Sequence, residues 1–584
     1  MKGRFERSIA AIVKSERSPQ VAHFLPLLWI LLLSWLVLFN RLGNTGLLDE
    51  TEPLFAEAAR QMQVTRDWIT PYFNGVTRFD KPPLIYWLMA IAYHTIGVNE
   101  WAARLPSAIS GTLLIGFCFY TLNFFEHQLK PQTAPLKILP FLASAIFALN
   151  LQTLFFGRLG YSDMLLSVCF GGALLSFFLG YAQSENPKVQ TRFYLAFYGL
   201  LALAVLTKGP VGMVLPGAIV LIFLACVGKV WEVLREIKLV PGIAIFLALS
   251  VPWYVLAYLR NGDVFINSFF GYHNLERFTN VVNQHQGAWY FHSLIVLIGF
   301  FPWSIYLPAA IVHSFQPRSW QQSPRSSHLG LFALIWFAVV LGFFTIAVTK
   351  YITYTLPLVP AAAILVALWW RDQMQQDAPK WGLKLSVYVS LGLCITLAAV
   401  TLYSPNWLNG DPSMPNLGLR MQEAGLPQIG FLIWLGGAIA GTFLIFGRKM
   451  RWFWAVNLAT YAAFMLFFIT PFVGVLDAER QLPLREVAQT VIQVRLTNEP
   501  IVMATNSFEK PSLVFYTQQP ITFLNRSAKI KPYLEQVRQQ KTQRSLLMVT
   551  TISTLNEAKI SPQAYQLLKQ IGVYRVIRFL VSSQ

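Results

Sequence analysis

Acids are scarce in this chain, 27 Asp and Glu against 46 Lys and Arg, yet Asp49, Glu50, Glu52 and Glu57 fall within nine residues of "LLDETEPLFAEAARQM" (Leu47–Met62). A carboxylate partly withdrawn from water can take a proton from a hydroxyl, which is the work of a general base. The plainer reading is capping, because acids at the start of the helix "EPLFAEAARQM" are favoured by its dipole. Asp163 in "GYSDM" carries the same two readings at the start of another helix. Cations supply the other half. Lys81 precedes Pro82 and Pro83, a rigid turn that fixes where the ammonium points, Lys208 precedes Gly209-Pro210, and Lys350 opens an apolar stretch. Singly, each reads as a snorkelling lysine at a helix end. As a group they suit a phosphate head group. Asp80, His273 and His285 are the oxygen and nitrogen donors that a divalent ion would use beside such a phosphate, although no ligand spacing enforces a site.

These residues must be positioned by membrane helices. The 584 residues are 55% hydrophobic, 15% aromatic and only 12% charged, which excludes an ordinary soluble protein. A span needs roughly 20 apolar residues. Thirteen stretches qualify: 24–40, 105–125, 137–156, 162–182, 193–207, 209–228, 239–259, 289–313, 329–348, 353–370, 384–403, 429–447 and 453–473. A fourteenth, 84–97 ("LIYWLMAIAYHTIG"), is short and rich in Tyr and Trp, and reads as interfacial. Counting it as a span would put "GRKMR" (Gly447–Arg451) outside, against the positive-inside rule. The basic segment 1–23, with Lys2, Arg4, Arg7, Lys14 and Arg17, is expected in the cytoplasm before a retained signal-anchor helix. The net charge of +19 then lies mostly in cytoplasmic loops and does not argue for nucleic acid. Cys118, Cys169, Cys226 and Cys394 all lie in apolar stretches and offer no disulfide framework.

With thirteen spans, the polar clusters face one compartment. The first outer loop, 42–104, carries "LLDETEP" and "TRFDKPP"; "GRLGYSDM", "LTKGP", "YHNLERF" and "TKYITYTLP" join it. Charged groups near a membrane are costly and tend to mark function. A base beside phosphate-binding cations fits sugar transfer from a lipid phosphate: the base activates an acceptor hydroxyl and the lysines stabilise the leaving group. Residues 477–584 change character and read as a small α/β domain on the same side. Its expected helices are "LREVAQTVIQVR", "KPYLEQVRQQ" and "SPQAYQLLKQIG", and its expected β runs "PIVMAT", "SLVFYT", "SLLMVTT" and "YRVIRFLV".

The order of these motifs resembles the membrane glycosyltransferases of the class C fold, specifically lipid A aminoarabinose transferase and the bacterial relatives of protein O-mannosyltransferase (glycosyltransferase family 39/83 type). The marks are the Asp-Glu pair after the first span, "AEAARQM", "RDWITPYFNGVTRFDKPPLIYW", "GYSDM", "LTKGP", "HNLERF", "GAWYFHSLIVLIGFFPW" and "TKYITYTLP", spread over residues 25–370. The resemblance implies a transmembrane glycosyltransferase domain over 24–476, interfacial helices in the first outer loop and a polyprenyl-phosphate sugar donor. It also implies a catalytic acid in that loop, a second at Asp163, and a phosphate-binding Lys81. Lys208, Lys350, Tyr354 and Arg277 complete the expected phosphate set. An ungapped alignment of "AEAARQM" sets Thr51 and Glu52 against the family's acid pair, whereas retaining Asp49-Glu50 needs a two-residue insertion. Asp49 is the preferred base and Glu52 the reserve. No Arg follows the pair, Asp80-Lys81-Pro82 stands where Glu-Lys-Pro is usual, and His273 is offset by one residue.

The resulting expectation is an inverting transferase in the plasma membrane, active on its outer face, that moves a sugar from a polyprenyl-phosphate donor to a lipid, glycan or protein of the cell envelope. Two rivals compete with it. A lipid-linked sugar flippase or transporter needs charges along a pathway to both faces, but these spans are almost free of acids at mid-depth. A non-catalytic scaffold would have no use for the acid and lysine clusters.

Overall fold

The computed structural model describes residues 19–128, 138–276, 280, 287–315, 320–321, 323–376, 378–408, 410–411, 414–540 and 545–580. Nine helices among them are long and apolar enough to cross a membrane, and a tenth crossing is the pair Leu139–Ala148 and Leu151–Gly157, bent by 63°. Asn150 makes that bend: its side chain accepts from the Thr153 N–H, starting a new helix, and donates to the Phe147 carbonyl. The remaining apolar stretches form the shorter helices Phe24–Phe39 and Val211–Val227 and the broken run Phe291–Gly299, Trp303–Ile305 and Leu307–Ser314. The stretch at 193–207 is longer than its apolar core suggests. Its helix runs Pro187–Lys208, because Asn186 caps it and Pro187 fits the first turn. The segment 404–428, between the expected spans 384–403 and 429–447, is partly helical, with Trp381–Leu408 running into it and Leu417–Glu423 inside it.

Burial separates the centre of the bundle from its lipid-facing rim. Nearly every residue of Ser162–Ala182 is buried, whereas few of Leu239–Asn261 are, as befits a helix whose apolar side chains face lipid. Two polar clusters mark the opposite ends of the central helix. Asp163 stands in its first turn, and Tyr181 near its last turn lies under the Arg325 guanidinium, which pairs with Glu232 and Glu236. Eighteen residues at 1.5 Å each put these ends about 27 Å apart, close to a bilayer's hydrocarbon thickness.

The segment after the first span folds as a unit. Helices Thr51–Thr65 and Leu84–Ile96 pack through Phe55, Met62, Tyr86, Met89 and Tyr93. At 13 residues, Leu84–Ile96 is too short to span, in keeping with the interfacial reading. Between them, β1 (Tyr72–Phe73) and β2 (Val76–Thr77) form a hairpin through Asn74 (φ 52°) and Gly75 (φ 81°), the left-handed pair that a tight two-residue turn needs.

The C-terminal domain is a five-stranded mixed sheet in the order β4-β3-β5-β7-β6, built from β3 (Ile501–Ala504), β4 (Ile521–Leu524), β5 (Ser545–Thr551), β6 (Gln566–Ile571) and β7 (Tyr574–Leu580). β3 pairs in parallel with β4 and β5, and β7 runs antiparallel to β5 and β6. Helices Leu482–Val494 and Ile530–Gln540 occupy two of the three places expected for them. Two expectations are reversed. "SLVFYT" is the helix Ser512–Thr517, in which Ser512, Leu513, Val514 and Phe515 are buried in succession; a helix can bury all its faces when it is wedged between two units. "YQLLKQI" forms β6, an edge strand held by the hairpin turn at Gly572 and bulged near Leu567.

Candidate active site

Asp163 and Lys208 end up side by side because they occupy the facing ends of consecutive helices, the first turn of Ser162–Ala182 and the last residue of Pro187–Lys208. The Lys208 ammonium bonds the Asp163 carboxylate and lies 5.6 Å over the Tyr354 ring. Thr353 adds a hydroxyl to the same carboxylate, and Lys81 is near enough to act on it electrostatically. Asp163 lies in the first turn of its helix, where the dipole favours an acid, and its carboxylate is also engaged by Lys208.

Lys81 links this group to a second one. Its Nζ donates to its neighbour's carbonyl, Asp80 O, at 2.7 Å and lies 3.8 Å from Asp80 Oδ2. Asp80 also accepts from Arg78 at 2.6 Å and from the Tyr86 hydroxyl at 3.0 Å. Burial opposes ionisation of Asp80, but Arg78, Lys81 and His273 outweigh it and hold the carboxyl well below the usual range. Tyr354 and His292 stack with centroids 6.0 Å apart, and Tyr354 packs on Phe344 at 4.5 Å, so an aromatic wall backs Lys208. Asp80, Lys81, Asp163, Lys208, Tyr354 and His273 therefore share one neighbourhood.

The other expected residues are engaged by different partners. Lys350 turns its ammonium onto the carbonyls of Thr345 (2.6 Å) and Ala347 (2.7 Å), closing the end of Leu329–Ile346. Glu52 is fully buried and clasped by Arg104 at 2.8 and 2.9 Å, and it accepts the N–H groups of Leu48 and Gly160 at 2.7 Å each. Both its oxygens are thus committed. Glu57 is held likewise by Arg60. Asp49 faces the C-terminal domain: Ser512 donates its backbone N–H to one oxygen at 2.9 Å and its hydroxyl to the other at 2.6 Å. Burial pushes the Asp49 carboxyl up to about 6, against the lowering pull of Ser512, Lys510 and Arg480. Glu50 is exposed at the start of Thr51–Thr65 and makes no capping bond. Arg277 and His285 lie outside the described residues.

The remaining metal candidates do not form a ready ligand set. Among the described residues no three His, Cys, Asp or Glu side chains come together, and a metal at Asp80 would have to displace Arg78. Three partners went unassigned in the sequence. Arg78 was one residue within "TRFDKPP", whereas Arg104 and Ser512 reach their acids from 52 and 463 residues away, beyond any local spacing rule.

The whole fold superposes on ArnT from Cupriavidus metallidurans, solved bound to undecaprenyl phosphate, with a TM-score of 0.76 at 20% identity over 96% of this chain and 99% of that one. That is the class C membrane glycosyltransferase fold. In sequence, the family "Dolichyl-phosphate-mannose-protein mannosyltransferase" matches residues 80–256, and "Cyanobacterial RgtA-type glycosyltransferase, C-terminal domain" matches 494–583. An undecaprenyl phosphate-alpha-4-amino-4-deoxy-L-arabinose arabinosyl transferase of Aeromonas salmonicida is 26% identical over 73% of each chain. An uncharacterised protein of Aquifex aeolicus is 30% identical over 55% of this chain and 67% of its own length. The chain is a polyprenyl-phosphate-sugar-dependent membrane glycosyltransferase, similar to the aminoarabinose transferases and to the protein mannosyltransferase family.

Proposed function

We propose that this glycosyltransferase takes its sugar from an undecaprenyl-phosphate-like donor and passes it, with inversion, to a lipid, glycan or protein at the outer face of the plasma membrane. The observation that carries the reading is the pairing of Asp163 with Lys208 within electrostatic reach of Lys81 at one end of the bundle. The donor phosphate docks on the two ammonium groups, and in doing so competes with Asp163 for Lys208. The freed carboxylate takes the proton of the acceptor hydroxyl. The acceptor oxygen bonds to the anomeric carbon, and the bond to the phosphate oxygen breaks with its electron pair leaving on the lipid phosphate. Lys81 and Lys208 stabilise the charge that develops there.

Asp49 supports a second reading, because a carboxyl raised to about 6 is matched to base catalysis near neutral pH. In that reading Ser512 must first let go of it. Outer-face action and the position of the C-terminal domain rest on the charge asymmetry of the loops. The test uses right-side-out and inverted membrane vesicles given a labelled polyprenyl-phosphate sugar from each side. Transfer confined to the outer face of right-side-out vesicles, and lost in Lys81→Ala, supports the reading. Labelled lipid crossing the bilayer without transfer would replace it with a flippase.

A further inference from the structure

The hairpin β1-β2 runs directly into Arg78-Phe79-Asp80-Lys81, and it is gripped by the C-terminal domain. The Asn74 side-chain amide donates to the carbonyl of Ile521 at 2.7 Å, and its carbonyl accepts the N–H of the same residue at 2.9 Å. Ile521 opens β4, an edge strand whose outward backbone groups would otherwise go unpaired. One amide thus substitutes for a neighbouring strand, and two simultaneous bonds to one residue fix both position and direction. A second contact is independent of it. Phe73, beside Asn74, packs against the domain's own core cluster with Leu484, Val487 and Ile501. The grip continues to the site. The Arg78 N–H donates to Pro71 O at 2.8 Å, closing the base of the hairpin, and the Arg78 side chain bonds Asp80, whose carbonyl holds the Lys81 ammonium.

We infer that the C-terminal domain is a working part of the donor-phosphate site, and that Asn74 is the positioning residue through which it sets Lys81. This rests on Lys81 holding the donor phosphate. Without the pin, the hairpin swings with its own thermal motion and Lys81 loses its fixed direction, so phosphate binding weakens although no group that touches phosphate has changed.

The test measures binding of undecaprenyl phosphate to the full-length protein in lipid, with neither sugar nor acceptor needed. Asn74→Gly is the informative variant, since glycine keeps the left-handed turn at φ 52° and removes only the amide. Loss of two hydrogen bonds should weaken binding on the order of tenfold. Asn74→Asp, which tolerates the same φ and still accepts the Ile521 N–H, should recover part of it. Amide hydrogen exchange at Ile521 reports whether the pin is open. Faster exchange in Asn74→Gly with unchanged binding, while Lys81→Ala still weakens it, would overturn the inference. Unchanged binding in Lys81→Ala would instead overturn the phosphate assignment on which it rests. If Asn74→Gly does not fold, equal binding by wild type and a folded Asn74→Asp with faster Ile521 exchange overturns it as well.

Discussion

Ser512 holds both oxygens of Asp49 across 463 residues of chain, one through its backbone N–H and one through its hydroxyl. Asp49 is thereby an anchor between the first loop and the C-terminal domain, and the Tyr516 hydroxyl supports the same seam by accepting the Leu47 N–H and donating to Glu100.

That anchor is sensitive to pH. Burial raises the Asp49 carboxyl from 3.8 to about 6, so the folded protein holds this proton more tightly than the unfolded chain does. Its contribution is complete below the unfolded value and is lost as pH rises through the folded one. Wild type should therefore lose about 3 kcal/mol of stability relative to Asp49→Asn between roughly pH 4 and 6, since each tenfold difference in proton affinity between the folded and unfolded chain is worth about 1.4 kcal/mol. Thermal unfolding of the two proteins in the same detergent across that range checks this. Parallel curves would show that Asp49 is not desolvated at the seam.

Glu52 and Arg104 form a buried pair with every oxygen occupied. Removal of one partner strands the other charge, at a cost of about 3–5 kcal/mol. Arg104→Ala and Glu52→Gln should both fail chiefly as unstable proteins, with low folded yield and a depressed melting temperature. A fully stable Glu52→Gln that transfers no sugar would restore Glu52 as the base.

Asp163 and Lys208 should couple strongly, since each is the other's direct partner. In a double-mutant cycle on stability, Asp163→Asn and Lys208→Met should show an interaction of about 1–3 kcal/mol. Additive losses would mean that the pair is not formed in the membrane.

Most of the apolar helices, and the shortness of Leu84–Ile96, were legible because hydrophobic length acts locally along the chain. Asp163, Lys81 and Lys208 could be grouped from topology alone, since Asp163 and Lys208 sit at helix ends and Lys81 in the turn before Leu84–Ile96, at one end of the bundle. Asp49 and Glu52 could not be told apart, because their roles are decided by Ser512 and Arg104, which no spacing connects to them. The exchange of helix and strand in the C-terminal domain has a similar cause. "SLVFYT" has strand composition, but it is buried on all faces at a seam between two units. "YQLLKQI" has helix composition, but it completes a hairpin with β7. In both, tertiary packing overrides a weak local preference.

The most direct test of the central claim compares sugar transfer by wild type, Asp163→Asn and Asp49→Asn, reconstituted in lipid with labelled polyprenyl-phosphate sugars and a membrane extract as acceptor. If Asp163 takes the acceptor proton, Asp163→Asn should lose on the order of a hundredfold or more in rate while Asp49→Asn retains transfer. Full transfer by Asp163→Asn, with activity abolished in Asp49→Asn, would contradict the account and move the base to the C-terminal seam.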